Sequence, residues 1–268
     1  MTYITNGSSK MIATRIRSLS MEQIGRFLLP AISISGGLLL WHVCSLMTSP
    51  LFLPSPLMVW NAAVEMALDG SLAASVWASG TRIFAGWAAG VALGVPLGLF
   101  MGRFRTVRML VDPYIEFFRF IPPIAFVTLA VIWLGPGELT KIALIFYTTI
   151  FIVTLNTIAG VESVNPLRLQ AARSLGANQR QEMTSIILPS TVPFMVTGAR
   201  IAMGNSFLTV VSAEIVSAQQ GLGATIWTAR NFARTDWVFV GIIALGCLGF
   251  LFDRIFRIVT QKTLKRFL

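Results

Sequence analysis

The chain has 268 residues, of which 55% are hydrophobic and 12% charged, with a formal net charge of +10 and a mean hydropathy of +0.74. A soluble domain of this size carries about twice that charged fraction, so the composition supports a membrane protein, and the length leaves room for about six spans of ~20 residues, expected to make it an all-α polytopic protein. The basic residues fall in short clusters between apolar runs rather than along one stripe, which argues for a topology signal and against nucleic acid as a partner.

Residues 1–27 hold Lys10, Arg15, Arg17 and Arg26 and are expected to form a cytoplasmic N-terminal segment. The apolar run 28–47 follows as a first transmembrane helix. It is longer than the core of a signal peptide and no convincing small-x-small cleavage site follows it, so a retained anchor is expected. It contains the single histidine, His42, read as a packing residue, and Cys44. Cys247 also lies in an apolar run, so neither a disulfide nor a metal site is expected.

Further spans are predicted at about 80–101, 118–135, 139–160, 193–216 and 237–257, with 258–268 as a cytoplasmic tail. An inside N-terminus also puts Arg103, Arg105 and Arg108 inside, with Arg168, Arg173 and Arg180, and then Arg254, Arg257, Lys262, Lys265 and Arg266. Arg82, Lys141, Arg230 and Arg234 remain outside, most of them near span ends. The positive-inside rule is satisfied by an N-in, C-in topology.

In the second span Gly86, Gly90, Gly94, Gly98 and Gly102 recur every four residues, forming one smooth, slowly turning stripe on a helix. Small residues let helix backbones approach closely in lipid, either within one subunit or at a dimer seam. Pro96 in the same span predicts a bend. The third span opens with Arg119, Phe120, Ile121, Pro122 and Pro123. The paired prolines mark either a gate or pathway wall, where protein or water must satisfy freed carbonyls, or a simple helix start.

Residues 162–189 are the one long polar stretch between apolar segments. Asn165-Pro166 starts a short helix, Gly176 ends it through a left-handed cap, and a second amphipathic piece from Gln179 to Ile187 is expected to stop at Pro189. The small patch Ala171-Ala172 suits deep docking on a partner, with Arg168, Arg173 and Arg180 at its rim.

Polar residues inside spans are candidates for a passage. Asn156 and Thr157 lie near the inner end of the fourth span. Asn205, Thr209 and Ser212 share one face of the fifth, with Glu214 near its outer end. That face lines either a passage or a helix–helix contact. Arg200 in the same span pairs with Asp253, snorkels or attracts an anion; Arg230 and Arg234 are expected to fold onto Asp236 or to meet a partner protein outside.

Several of these residues together carry a family resemblance over about residues 50–257. They are Phe52 to Pro56; Arg82 with the glycine stripe; Arg119 to Pro123; Trp133 to Glu138 with Lys141-Ile142; Asn156-Thr157 with Gly160-Val161; Ala171 to Ala177; Ala213-Glu214; Gly221-Leu222-Gly223; and Asp236 through Gly241-Ile242. In this order and spacing the chain resembles permeases of the nitrate, taurine and aliphatic sulfonate import group, a branch of the type I ABC importers. The resemblance implies the type I ABC importer permease fold over 71–257, with 162–189 as the cytoplasmic EAA loop on which an ATPase subunit docks. The loop residues carried over are Gln170, Ala171, Ala172, Arg173, Leu175, Gly176, Ala177, Leu188 and Pro189. It also implies two ATPase subunits, a second permease subunit in a homodimer, an extracytoplasmic binding protein and a bacterial inner-membrane location.

Two positions depart from the family pattern. Gln170 stands where the loop has glutamate, which keeps shape but drops a charge. Phe120 stands where proline follows the arginine, and is expected to straighten the local approach to the span. The chain contains no G-x-x-x-x-G-K-[ST] pattern, so ATP and magnesium are expected in a partner and no cofactor or catalysis in this chain. A membrane enzyme would need a nucleophile–base pair or a metal cluster at depth, and a single histidine with no HExxH or CxxC pattern argues against one. An ion-coupled secondary transporter would be expected to show internal repeats and carboxylates at depth. Between solutes, a nitrate-, sulfonate- or taurine-like anion is expected, with an uncharged or aromatic nutrient such as a thiamine pyrimidine precursor as the alternative.

Overall fold

The computed structural model describes residues 28–217 and 219–265; the expected N-terminal segment 1–27 and Arg266 lie outside these. The described residues are helical with no strand. They divide into two compact units, one ending at Asn61 and one beginning at Ala62.

The first unit holds α1 (Leu28–Leu46), apolar and long enough to cross a membrane. A tight turn closes it, with Phe52 N donating to Ser49 O at 2.8 Å and Trp41 Nε1 to Pro54 O at 3.0 Å. The unit boundary falls within α2 (Pro56–Leu68). At 13 residues, α2 is ~20 Å long and too short to span.

In the second unit, α3 (Ser71–Arg103), α6 (Glu138–Glu162) and α9 (Leu188–Ser217) form the centre, joined by α4 (Arg105–Phe118), α5 (Pro123–Leu134), α7 (Pro166–Ser174), α8 (Gln179–Glu182), α10 (Leu222–Asn231) and α11 (Thr235–Thr263). The second, fourth, fifth and sixth spans are each longer than expected. The second begins at Ser71, the fourth runs over Glu138–Glu162, the fifth begins at Gln179, and the sixth continues into the expected tail as far as Thr263.

The glycine stripe packs α3 on α6 inside one chain. A Cβ added at Gly86 would lie 2.6 Å from Ile145 Cβ, at Gly90 2.5 Å from Thr149 Cβ, and at Gly98 2.6 Å from Thr157 Cβ. Gly94 meets Val153 and Gly102 meets Val161. The facing residues 145, 149, 153, 157 and 161 thus repeat the four-residue step of the glycines. Hydrocarbon supplies no hydrophobic drive between helices, so close approach and van der Waals contact must hold them. Pro96 lies inside this one helix, which is unbroken from Ser71 to Arg103.

The α6–α9 face uses the same device in both directions. Gly160 admits Thr191 and Phe194 of α9, and Gly198 admits Asn156 of α6. Hydroxyls complete it: Thr148 and Thr209 lie 3.0 Å apart and Thr149 and Ser206 3.2 Å apart. Ile83, Ile145, Met203, Phe207, Val210, Leu222 and Leu248 form the main apolar cluster, drawn from five helices.

The single span expected over 118–135 is not one helix. It is broken at Arg119–Pro122, with α4 and α5 bent by 101°, so Phe120 does not straighten this approach. Pro122 is extended at φ −60°, ψ 139° and Pro123 starts the new helix, the position where a missing N–H costs nothing. Tyr147 on α6 meets the break: its hydroxyl lies 2.5 Å from Phe118 O and 3.3 Å from Ile121 O. Tyr147 thus gives Phe118 O the donor that Pro122 lacks, alongside Ile121 N.

Pro189 does not stop the second loop piece either. A π turn, Met183–Ile187, leads directly into α9, and Leu188 N bonds to Met183 O. The wider turn relieves the crowding a proline ring imposes on the preceding carbonyls.

Gly90→Ala should lower stability by about 1–3 kcal/mol through overpacking, against the ~1 kcal/mol that alanine otherwise adds in a helix. Gly204, which has open space around it, should tolerate alanine or gain from it. Melting temperatures of the purified variants in detergent check this; equal effects at both positions would contradict the packing role.

Candidate functional site

The polar stretch 162–189 begins with a well-capped helix. Asn165 Oδ1 accepts from Leu167 N at 2.8 Å and Pro166 occupies the first turn. Gly176 has φ +84°, with Gly176 N bonded to Arg173 O at 2.9 Å and Ala177 N to Ala172 O at 3.0 Å. These two bonds make a Schellman end, which requires the left-handed conformation that glycine adopts without strain. Asn178 and Gln181 then cap α8 reciprocally.

α7 presents an outward surface. Gln170, Ala171 and Arg168 are exposed, Ala172 and Ala177 half-buried, and Leu175 is 88% exposed. Leu188 and Pro189 belong to the continuous helix that follows, with Leu188 on its exposed side.

Arg173 stays exposed beside the patch and also pairs inward. Its Nε donates to Glu182 Oε1 at 2.7 Å, and Arg103 at the end of α3 donates to Glu182 Oε2 at 3.0 Å. Glu182 is only 2% exposed. Its hydrogen bond raises the Arg173 guanidinium above its ordinary pKa. A buried carboxylate between two guanidiniums thus ties α7 and α8 to α3. Sequence reasoning missed Glu182, although an acid amid arginines at the head of a buried helix is a usable signal. Arg168 and Arg180 stay exposed.

At the other end of α3 lies a second ion cluster. Arg82 is 4% exposed and Glu214 is fully buried. Arg82 Nη1 donates to Glu214 Oε1 at 2.6 Å and to Gln220 O at 2.6 Å, and its Nε and Nη2 reach Glu138 at 2.5 and 2.8 Å. Lys141 Nζ joins Glu138 at 2.8 Å. Two cations and two carboxylates make a neutral set, with Arg82, Lys141 and Glu214 buried and Glu138 at the surface; pairing is the form in which charge survives burial.

The remaining Glu214 lone pairs accept from Ser79 Oγ at 2.8 Å and Gly223 N at 2.8 Å, while Leu222 N donates to Ser79 Oγ. Gly221 has φ +135°, and a Cβ there would sit 2.4 Å from the Glu214 carboxyl carbon. The separate motifs around Arg82, Glu138, Glu214 and Gly221 therefore meet in one place. Glu214 was expected on a passage; it is instead a sealed internal ion. Arg82 and Lys141 are also buried, with Lys141 in the first turn of α6.

A cleft of about 390 Å³ opens beside the α4–α5 break, lined by Arg119, Pro122, Pro123, Tyr147, Thr148 and Asn205 among others. Arg119 lies over the Phe120 ring at 4.6 Å. Four expected pathway residues, Arg119, Pro122, Pro123 and Asn205, thus come together. Thr209 is buried behind them, paired with Thr148. Asn156 bonds to Ile152 O and packs on Gly198, and Ser212 bonds to Leu208 O; neither lines the cleft. Tyr147 and Thr148 join it without having been foreseen.

Arg200 pairs with Asp253, Nε to Oδ1 at 2.7 Å. Arg234 folds onto both Asp236 and Glu65, at 2.9 and 3.1 Å. Bonding to Asp236 raises the Arg234 pKa above its ordinary value.

Glu214→Gln should destabilise the protein by about 3–5 kcal/mol, because it strands part of the Arg82 charge in the interior. The double change Arg82→Leu with Glu214→Leu should cost less than the sum of the single changes. Thermal unfolding of the four proteins checks the cycle; strictly additive losses would contradict the pairing.

Comparison with known proteins agrees with this architecture. Residues 94–265 match the family of binding-protein-dependent transport system inner membrane components. The chain is 40% identical over 219 residues to the taurine transport system permease protein TauC of Escherichia coli (strain K12), covering 80% of each. It is 36% identical over 232 residues to a probable ABC transporter permease protein of Brucella melitensis, covering 87% of this chain and 92% of the relative. Its fold is similar to that of a chain in the inward-facing MetNI methionine ABC transporter, with a TM-score of 0.60, 20% identity and coverage of 72% of this chain and 98% of that one. The chain belongs to the binding-protein-dependent transport system inner membrane component family and is an ABC importer permease with a type I fold.

Proposed function

We propose that two copies of this chain form the passage of an importer driven by two copies of a separate ATPase, with α7 as the surface on which each ATPase docks. The observation that carries this reading is the buried Glu182 between Arg103 and Arg173. It fastens an exposed, small-residue helix to the end of a 33-residue span. Force applied at α7 then reaches α3 through paired ions rather than through a loose loop, as a two-state element requires. Gln170 and Ala171 meet the partner by shape and hydrogen bonding, and ATP and magnesium belong to that partner.

The cleft beside Pro122 and Pro123, with Arg119 and Asn205 at its wall, is the part of each copy that lines the passage. The solute is a small anion delivered by an extracytoplasmic binding protein. Relatives are named for taurine, aliphatic sulfonates, nitrate and bicarbonate, and the exposed Arg119 suits an anionic group. The acids Glu138, Glu214 and Asp253 are all ion-paired, which favours ATP over ion coupling.

Two measurements test this proposal. Uptake of radiolabelled taurine or nitrate by proteoliposomes holding the full importer should stop without internal ATP even under an imposed ion gradient; uptake driven by the gradient alone would contradict it. Gly176→Arg adds both bulk and left-handed strain of about 1–2 kcal/mol. It should abolish co-purification of the ATPase while membrane levels of the permease hold, and unchanged recovery would remove α7 from this role.

A further inference from the structure

A groove of the second unit lies apart from the cleft and the loop. It has a volume of about 830 Å³ and runs between α9 and α11. Its floor is made by glycines: Gly204 and Gly246 have nothing within 4 Å of a built Cβ, and Gly249 touches only the Phe207 ring, at 3.7 Å or more. Apolar side chains such as Ile242 and Phe250 form its walls. One end is charged, with Arg200, Asp253 and Arg257 at its mouth.

We infer that this groove holds one inner-leaflet phospholipid with an anionic headgroup. The charge balance is the first reason. Arg200 and Arg257 both place Nε on the Asp253 carboxylate, at 2.7 and 2.9 Å. Arg200 Nη2 lies 3.4 Å from the same carboxylate. Two guanidiniums share one carboxylate, leaving one positive charge. Arg200 Nη1 and the two terminal nitrogens of Arg257 have no partner among the described residues, so donors remain for the oxygens of a phosphodiester. One phosphodiester carries the single negative charge that closes the balance.

Length is the second reason. α11 begins at Thr235, so Asp253 and Arg257 lie ~27 and ~33 Å along it, at the far edge of a ~30 Å hydrocarbon core. The cations at 254, 257, 262 and 265 put that edge on the cytoplasmic side. From Asp253 the groove continues to Ile242, a further ~16 Å, which matches one leaflet of ~15 Å. The α9 wall from Arg200 to Phe207 flanks the first ~10 Å of that length. An acyl chain hanging from a headgroup at the arginines fills that length. On the other side of the arginines the lining includes Thr197, Thr260 and Gln261, polar groups that suit a headgroup rather than the apolar face of a second copy's helix.

Native mass spectrometry of the full-length chain, titrated with phosphatidylglycerol or phosphatidylcholine, tests the assignment. The wild type should retain phosphatidylglycerol about tenfold better, because two arginines near the surface each favour an anionic lipid. Arg200→Gln with Arg257→Gln should erase the preference, and Arg200→Lys with Arg257→Lys should keep most of it. Gly246→Phe enters open space, so it leaves the fold intact while blocking the trough; it should lower retention of both lipids. Equal retention of the two lipids by the wild type would overturn the inference. So would a Gly246→Phe variant that binds lipid normally but no longer associates with a second copy.

Discussion

The structure depends on how closely α3 and α6 approach. Both helices are immersed in a solvent as apolar as their own side chains, so burial of hydrocarbon cannot press them together. Five glycines on α3 remove the side chains that would keep the backbones apart, and Ile145, Thr149, Val153, Thr157 and Val161 occupy the space. Because the two sets share the same step, contact is maintained over the whole length of the glycine stripe. α9 then closes on the opposite side of α6 through Gly160, Gly198 and paired hydroxyls.

This three-helix stack carries an ion cluster at each end of α3. Arg82 and Arg103 are 21 residues apart on one helix, ~32 Å, and each holds a nearly or fully buried glutamate. At one end Glu214 gathers α3, α9 and the turn into α10. At the other Glu182 gathers α3, α7 and α8. A buried carboxylate with several donors has few alternative geometries, since losing any partner leaves charge uncompensated. The stack therefore behaves as a strut between the Glu214 cluster and α7, while the bent α4–α5 segment beside it is held by Tyr147 and frames the cleft.

Much of this was legible from sequence where the signal is local. The glycine spacing, the caps at Asn165 and Gly176, and the consecutive prolines each act through their own backbone, and all stand where they were expected. The failures involve residues far apart in the chain. Arg82 and Glu214 are separated by 132 positions, so Glu214 was read as an isolated polar group on a helix face. The Arg173–Glu182 pair went unseen because Glu182 belongs to the next helix. The span at 118–135 read as one apolar run because hydropathy averages over a break only four residues long. The fifth span was started late because Pro189 signals a stop, and a π turn that absorbs a proline has no sequence period of its own.

The central claim is that α7 and α3 move as one body through Glu182. Spin labels at exposed Leu175 and Phe84, in a chain whose exposed Cys44 and Cys247 are replaced by serine, report their separation by pulsed electron resonance. In the assembled importer the distance distribution should be the same with and without ATP, and should broaden in Glu182→Gln. A wild-type distance that changes with ATP would contradict the account.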